Sequence, residues 1–76
     1  MSIDELGAIL SGIYNCTPIE EAALMIRLFG IKYADNIKKY NYSSVDIIKA
    51  SGIPEKYLNE LSKGVKLSEY VHSKQL

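Results

Sequence analysis

The sequence predicts an all-α fold, a small bundle of five to six short helices. Apolar residues recur at helical spacing, and no segment alternates polar and apolar residues over the length of a strand. Two capping boxes mark helix starts, and most glycines and prolines lie where a helix would end or begin. The predicted helices span residues 3–14, 18–29, 31–40, 44–51, 54–63 and 67–72.

The N-terminal third of the chain contains both capping boxes. Ser2 pairs with Glu5, and Thr17 pairs with Glu20, with Pro18 at the first helical position, where its fixed φ suits a helix. The second of these helices is apolar over most of its circumference, which is more apolar surface than a 76-residue chain easily covers. We therefore expect a homodimer. Its interface is expected to include Ile19, Met25, Ile26 and Phe29.

Two short helical patterns meet at a sharp turn within residues 43–64. Ser43 can cap the first helix, because its hydroxyl accepts a bond from a backbone N–H that has no partner in the first turn. Gly52 can adopt the left-handed backbone that ends a helix abruptly, and Pro54 suits the first turn of the next helix. Gly64 is expected to close that second helix.

This segment resembles the helix-turn-helix of the Cro/Xre phage-repressor family over residues 42–64. In that family a Gly is followed directly by an aliphatic residue, and further aliphatic residues and a second Gly follow at fixed distances. The matching residues are Gly52, Ile53, Leu58, Leu61 and Gly64, with Ile47 at the main aliphatic position of the first helix. The resemblance implies a DNA-binding fold whose second helix enters the major groove.

The composition indicates a single folded domain over residues 1–76, since 47% of the residues are apolar and 24% are charged. We expect a helix to end at Gly30. Residues 1–30 would then form a helical hairpin with a possible dimer surface, residues 31–64 the helix-turn-helix core, and residues 65–76 a short C-terminal helix and a tail.

The formal net charge is zero, but the charges are distributed unevenly. Residues 1–30 contain four acidic side chains and one arginine, a net charge of −3, whereas residues 31–76 contain eight lysines and five acidic side chains, a net charge of +3. The positive excess therefore accompanies the helix-turn-helix, where a phosphate backbone would require it.

The resemblance implies that the second helix of the motif contacts double-stranded DNA as part of a small transcriptional regulator. Its amide-bearing Asn59 presents a donor and an acceptor side by side, as adenine requires, and its acidic residues would accept from cytosine. Hydroxyl groups at the start of the preceding helix are expected to contact the DNA backbone. The expected contact residues are Lys56, Asn59, Lys63, Glu55, Glu60, Tyr42, Ser43 and Ser44.

Two other interpretations use the same residues. A helix-turn-helix fold can serve protein contacts alone, as in an anti-repressor, an antitoxin or an adaptor. A helix-hairpin-helix would grip the DNA backbone through a Gly-aliphatic-Gly turn. This chain has Gly52-Ile53-Pro54 there, and the proline removes one of the backbone N–H donors that such a turn needs.

The chain lacks the residue sets that catalysis or metal binding requires. His72 is the only histidine and Cys16 the only cysteine, and no glycine-rich phosphate loop is present. We therefore expect a protein that is not an enzyme, has no cofactor or metal, and takes no small-molecule substrate. The lone cysteine and the absence of a long apolar run predict a cytoplasmic protein without membrane contact.

Overall fold

The computed structural model describes residues 1–71, which form four α-helices and two short 3₁₀ turns. The helices are α1 (Ile3–Asn15), α2 (Ala22–Lys39), α3 (Ser44–Ser51) and α4 (Leu58–Leu67), and the 3₁₀ turns Ile19–Glu21 and Glu55–Tyr57 lead into α2 and α4. No strand occurs within residues 1–71. The predicted all-α fold is confirmed, with four α-helices instead of five to six.

The two predicted capping boxes have different outcomes. The Ser2 hydroxyl accepts the Glu5 N–H at 3.1 Å, and the Glu5 carboxylate accepts the Ser2 N–H at 2.9 Å, so the first box forms. The second box does not form. The Thr17 hydroxyl donates to the Ile13 carbonyl at 2.6 Å, which satisfies the C-terminal end of α1 and leaves the next helix to begin behind Pro18 without a side-chain cap.

Two of the three glycines that were expected to stop helices, Gly30 and Gly64, instead lie inside them. α2 continues through Gly30 to Lys39, so the predicted helices 18–29 and 31–40 are one element, and α4 continues through Gly64 to Leu67. A Cβ on Gly30 would stand 2.9 Å from the Leu61 carbonyl oxygen of α4. Gly30 and Gly64 therefore allow two helix backbones to pack in direct contact, because glycine has no side chain. Neither forms a left-handed turn.

The predicted last helix, residues 67–72, is also corrected. The chain forms a turn over residues 68–70 directly after α4, and residue 72, where that helix was expected to end, lies outside the described residues. One hydrogen bond and one ion pair hold this turn against the C-terminal part of α2. Lys38 Nζ donates to the Ser68 hydroxyl at 3.3 Å and lies 3.7 Å from the Glu69 carboxylate.

The core lies between two helix pairs, α1 with α3 and α2 with α4. Gly7 of α1 permits the first pairing, since a Cβ there would stand 2.8 Å from the Cβ of Ala50. Burial of apolar side chains from every helix then holds the two pairs together. The core residues are Leu6, Leu10, Ala22, Ile26, Phe29, Ile37, Ile47, Ile48, Ile53, Tyr57 and Leu61. The helices α1 and α2 thus support α3 and α4, which carry the motif.

Candidate nucleic-acid interface

The turn between α3 and α4 begins with a glycine in the left-handed conformation. Gly52 follows α3 with φ +74°, the left-handed conformation expected for it, and its N–H bonds to the carbonyls of Ile48 and Lys49. Ile53 then turns inward and is only 7% exposed. The buried position of Ile53 fixes the direction in which the chain continues from the turn into α4.

A buried hydroxyl that the sequence analysis did not single out secures this turn. The Ser51 hydroxyl donates to the Ile48 carbonyl at 2.7 Å and accepts the Ile53 N–H at 3.2 Å. Ser51 is 8% exposed, so both bonds are shielded from water. The role of Ser51 could have been predicted from its position directly before a helix-stopping glycine, because short hydroxyl side chains commonly bond to the backbone of turns.

The exposed face of the second helix of the motif is basic. Lys56, Asn59 and Lys63 are all exposed and recur at helical spacing, so they share one face. Lys66, one turn further on, extends the same face. The opposite face carries Leu61, which is fully buried. This arrangement places one amide between lysines on a surface that another molecule can reach.

The start of that helix is exposed as well. Glu55 lies in the first turn behind Pro54, and its side chain is exposed. Lys56 extends over the ring of Tyr57, with Nζ 5.3 Å from the ring centroid. This cation–π contact orients the lysine while leaving its ammonium group at the surface.

Glu60 does not lie on the exposed face with Asn59. Its carboxylate accepts a bond from Arg27 Nε of α2, and its side chain is only 19% exposed. The carboxylate is therefore occupied within the protein, where it ties α4 to α2. The sequence alone gave no indication of this pair, because its two residues are 33 positions apart.

The three residues before and at the start of α3 have separate roles. The Tyr42 hydroxyl donates to the Met1 carbonyl at 2.9 Å, so its single O–H donor is occupied within the protein. The Ser43 hydroxyl caps α3 by accepting the Val45 N–H at 3.1 Å, as expected. Ser44 begins the helix and is partly exposed. Ser43 and Ser44 thus lie at the N-terminus of the motif's first helix.

The residues expected at a dimer interface divide into two groups. Ile26 and Phe29 are 0% and 2% exposed and lie in the protein's own core. Ile26 offers no surface to a second copy, and Phe29 offers only the small part that lines an apolar groove. Ile19 is 63% exposed. Met25 lines an apolar groove between α1 and α2, which also contains Ile9, Ile13, Leu28, Phe29, Lys32 and Tyr33.

The residues that the structure describes contain neither a candidate metal cluster nor a candidate membrane span. Among residues 1–71 no three His, Cys, Asp or Glu side chains come together in a way that could hold a metal ion. Within the same residues, no helix has both the length and the apolar character needed to span a membrane.

Comparison with known proteins gives one match. A family model described as an HTH-like domain matches residues 2–74, nearly the whole chain. No curated protein and no solved structure matches the chain. The match supports a helix-turn-helix family in general, and not the Cro/Xre repressors in particular. On the strength of this match and the geometry of α3 and α4, the chain belongs to the HTH-like domain family.

Proposed function

We propose that this protein binds double-stranded DNA and acts as a small transcriptional regulator, with α4 and the 3₁₀ turn before it in the major groove. The observation that carries the proposal is the exposed face of that helix, where Asn59 lies between Lys56 and Lys63. An Asn side chain can bond adenine with two hydrogen bonds, and lysines at the same surface neutralise phosphates. Ser43 and Ser44, at the start of α3, would contact the DNA backbone and so position the protein on the duplex.

The charge distribution supports the orientation of this complex. The negative excess lies in residues 1–30, and the positive excess lies in the part of the chain that contains the motif. A DNA duplex would therefore be attracted to the side that presents α4. We propose a binding protein without catalytic activity, because its exposed basic helix offers recognition and charge but no nucleophile with a neighbouring base.

A titration of fluorescently labelled random duplex DNA at two salt concentrations tests this function. The wild-type protein is expected to bind, with an affinity that falls steeply as salt rises, because phosphate contacts release counterions. The matched variants are Lys63→Gln, on the exposed face of α4, and Lys39→Gln, at the exposed C-terminal end of α2. Lys63→Gln should weaken binding, and Lys39→Gln should not. If the wild-type protein shows no salt-dependent binding to any duplex, the fold serves protein contacts instead.

We propose further that the protein is a homodimer through the apolar groove of α1 and α2. Besides the groove, Ile19 and Leu24 expose 63% and 53% of their surface near the start of α2. A two-fold dimer would present two copies of α4 to successive turns of a palindromic site, about 34 Å apart.

Sedimentation at micromolar to high micromolar concentration tests the dimer. Met25→Lys places a charge in the groove and should shift the protein toward the monomer. Lys49→Gln, on the exposed surface of α3, is the control and should leave the association unchanged. A wild-type protein that remains monomeric over the whole concentration range would exclude this interface.

A further inference from the structure

A second basic feature lies beside the C-terminal half of α4. A shallow groove there is lined by Arg27 of α2, by Lys63, Lys66 and Leu67 of α4, and by Tyr70 of the following turn. Three of these five side chains are cationic. Arg27 is the only basic residue in the first 30 positions, and the fold places it against the most basic part of α4.

The groove keeps a positive charge after the neighbouring Glu60 is counted. Glu60 bonds to Arg27 through Nε alone, and a guanidinium has four further N–H donors. The Arg27 side chain is 41% exposed, so it can reach another partner. Within residues 1–71, neither Lys63 nor Lys66 pairs with a carboxylate. The groove therefore suits an anion that accepts several charged hydrogen bonds.

The non-cationic side chains of the groove suit a nucleotide better than a bare anion. Tyr70 is 77% exposed and Leu67 is 40% exposed, so both leave apolar surface in contact with water. A deoxyribose could cover that surface. The Tyr70 hydroxyl is a donor of the kind that commonly bonds to a phosphate oxygen.

The length of α4 places this groove at the edge of a bound duplex. Lys66 lies ten residues beyond Lys56, which corresponds to about 15 Å along a helix. The major groove of DNA is about 12 Å wide. When Lys56 and Asn59 lie at the base edges, Lys66 and its neighbours have reached the wall of the groove, where the phosphates are.

We infer that Arg27, Lys66 and Tyr70 form a phosphodiester-binding groove that holds the DNA backbone beside the site read by α4. This inference rests on the proposed function. It adds contacts from α2 and from the turn after α4, neither of which belongs to the helix-turn-helix itself.

Ethylation interference together with salt titration tests the groove. Lys66→Gln should lower the slope of log affinity against log salt by about one, and should reduce the loss of affinity between about 50 and 200 mM salt three- to fourfold. One or two flanking phosphates whose ethylation blocks the wild-type protein should no longer matter to this variant. Lys39→Gln, at the exposed C-terminal end of α2, should retain both the slope and the phosphate pattern. A Lys66→Gln protein that behaves like Lys39→Gln overturns the inference.

Arg27 needs a paired substitution, because removing it alone leaves Glu60 without its partner. The double variant Arg27→Gln with Glu60→Gln keeps a polar side chain at both positions and removes both charges. It should lose the same flanking phosphates as Lys66→Gln. Circular dichroism confirms that the double variant is folded before binding is measured, and a folded double variant with the wild-type phosphate pattern counts against the groove.

Amide chemical shifts distinguish a DNA backbone from a free phosphate ion as the ligand. Duplex DNA should shift the amides of Lys66, Leu67 and Tyr70 at concentrations where inorganic phosphate, at matched ionic strength, does not. Saturation of these shifts by inorganic phosphate alone, with no response to duplex, would contradict the inference. Failure of the proposed function would look different, since the wild-type protein would then bind no duplex at any salt concentration.

Discussion

Gly30 of α2 and Gly64 of α4 lie against each other where the two helices meet, and a Cβ on Gly30 would stand 3.0 Å from the carbonyl carbon of Gly64. Backbones this close leave no space for side chains at the crossing. Arg27 and Glu60 join the same two helices one turn earlier. The position of the motif's second helix therefore depends on two glycines, which permit the close approach because they have no side chain, and on one ion pair.

Gly64→Ala is expected to destabilise the protein by about 1–3 kcal/mol, because its Cβ would stand 2.9 Å from the Cα of Arg27 and a backbone cannot rotate away as a side chain can. Urea unfolding monitored by circular dichroism measures the change. Gly12→Ala is the matched control, since it also lies inside a helix but has open space around its Cβ position. That variant should gain about 0.5–1 kcal/mol. Equal effects of the two substitutions would contradict the close crossing.

Gly52→Ala is expected to destabilise the protein for a different reason. Nothing lies within 4 Å of the Cβ position, but φ is +74°, a left-handed conformation that costs an alanine about 1–2 kcal/mol. Gly52→Asn should cost less, because asparagine tolerates this conformation better. Urea unfolding of the two variants gives the comparison. An alanine variant as stable as the asparagine variant would show that the strain is absent.

The sequence predicted the local structure around Gly52 but not the role of Gly30. The first glycine stands between a short helical pattern and a proline, so nearby residues alone identify it as a helix end. Gly30 interrupts no apolar pattern: Phe29 and Ile31 continue on either side of it. Its role depends on Leu61 and Val65 of a helix some 30 positions away, and such a pairing is not visible in local sequence.

The candidate site shows the same division between local and distant information. The exposure of Lys56, Asn59 and Lys63 follows from helical spacing on a helix whose other face is apolar, and this much could be predicted. The position of Glu60 could not. Its carboxylate turns toward Arg27, and only the packing of α2 against α4 decides that orientation.

The capping box at the start of α1 gives the stability a pH dependence. The Ser2 backbone N–H, followed by the Ser2 hydroxyl, holds the pKa of Glu5 below its ordinary value. Because the folded pKa is the lower one, the stabilisation is present above the unfolded pKa and is lost as the pH falls through the folded pKa. Glu5→Gln retains the amide oxygen as an acceptor but removes the charge. Its stability should therefore fall below that of the wild type at pH 7 and match it in acid. Thermal unfolding of the wild type and of Glu5→Gln over a series of acidic pH values measures the difference in stability. A difference that does not change with pH would contradict the assignment to the Glu5 charge.

Glu60→Gln separates a structural role from a role in DNA contact. Loss of the ion pair with Arg27 should lower the free energy of unfolding by about 1 kcal/mol, since both side chains are partly exposed and water screens the pair. Affinity for duplex DNA should be retained or should rise, because a negative charge leaves the basic side of α4. Glu55→Gln is the control, because that exposed side chain forms no ion pair within residues 1–71 and its replacement should leave stability unchanged. Reduced DNA affinity in a stably folded Glu60→Gln protein would assign the carboxylate to the DNA instead.

Asn59 and Lys63 should differ in what their loss does to DNA binding, although they lie one turn apart on the same exposed face. Asn59→Ala removes an amide suited to adenine, so it should relax base preference at one position of the selected site by about 1–3 kcal/mol while keeping the salt slope. Lys63→Ala removes a phosphate contact, so it should weaken binding to all sequences and lower the salt slope by about one. Selection of binding sites from a random duplex library, followed by titration of single-base variants at two salt concentrations, measures both quantities. Both side chains are exposed, so neither substitution should alter the free energy of unfolding, and thermal unfolding checks this. If both variants lose affinity equally for every sequence, α4 contacts the backbone alone, and its amide does not read a base.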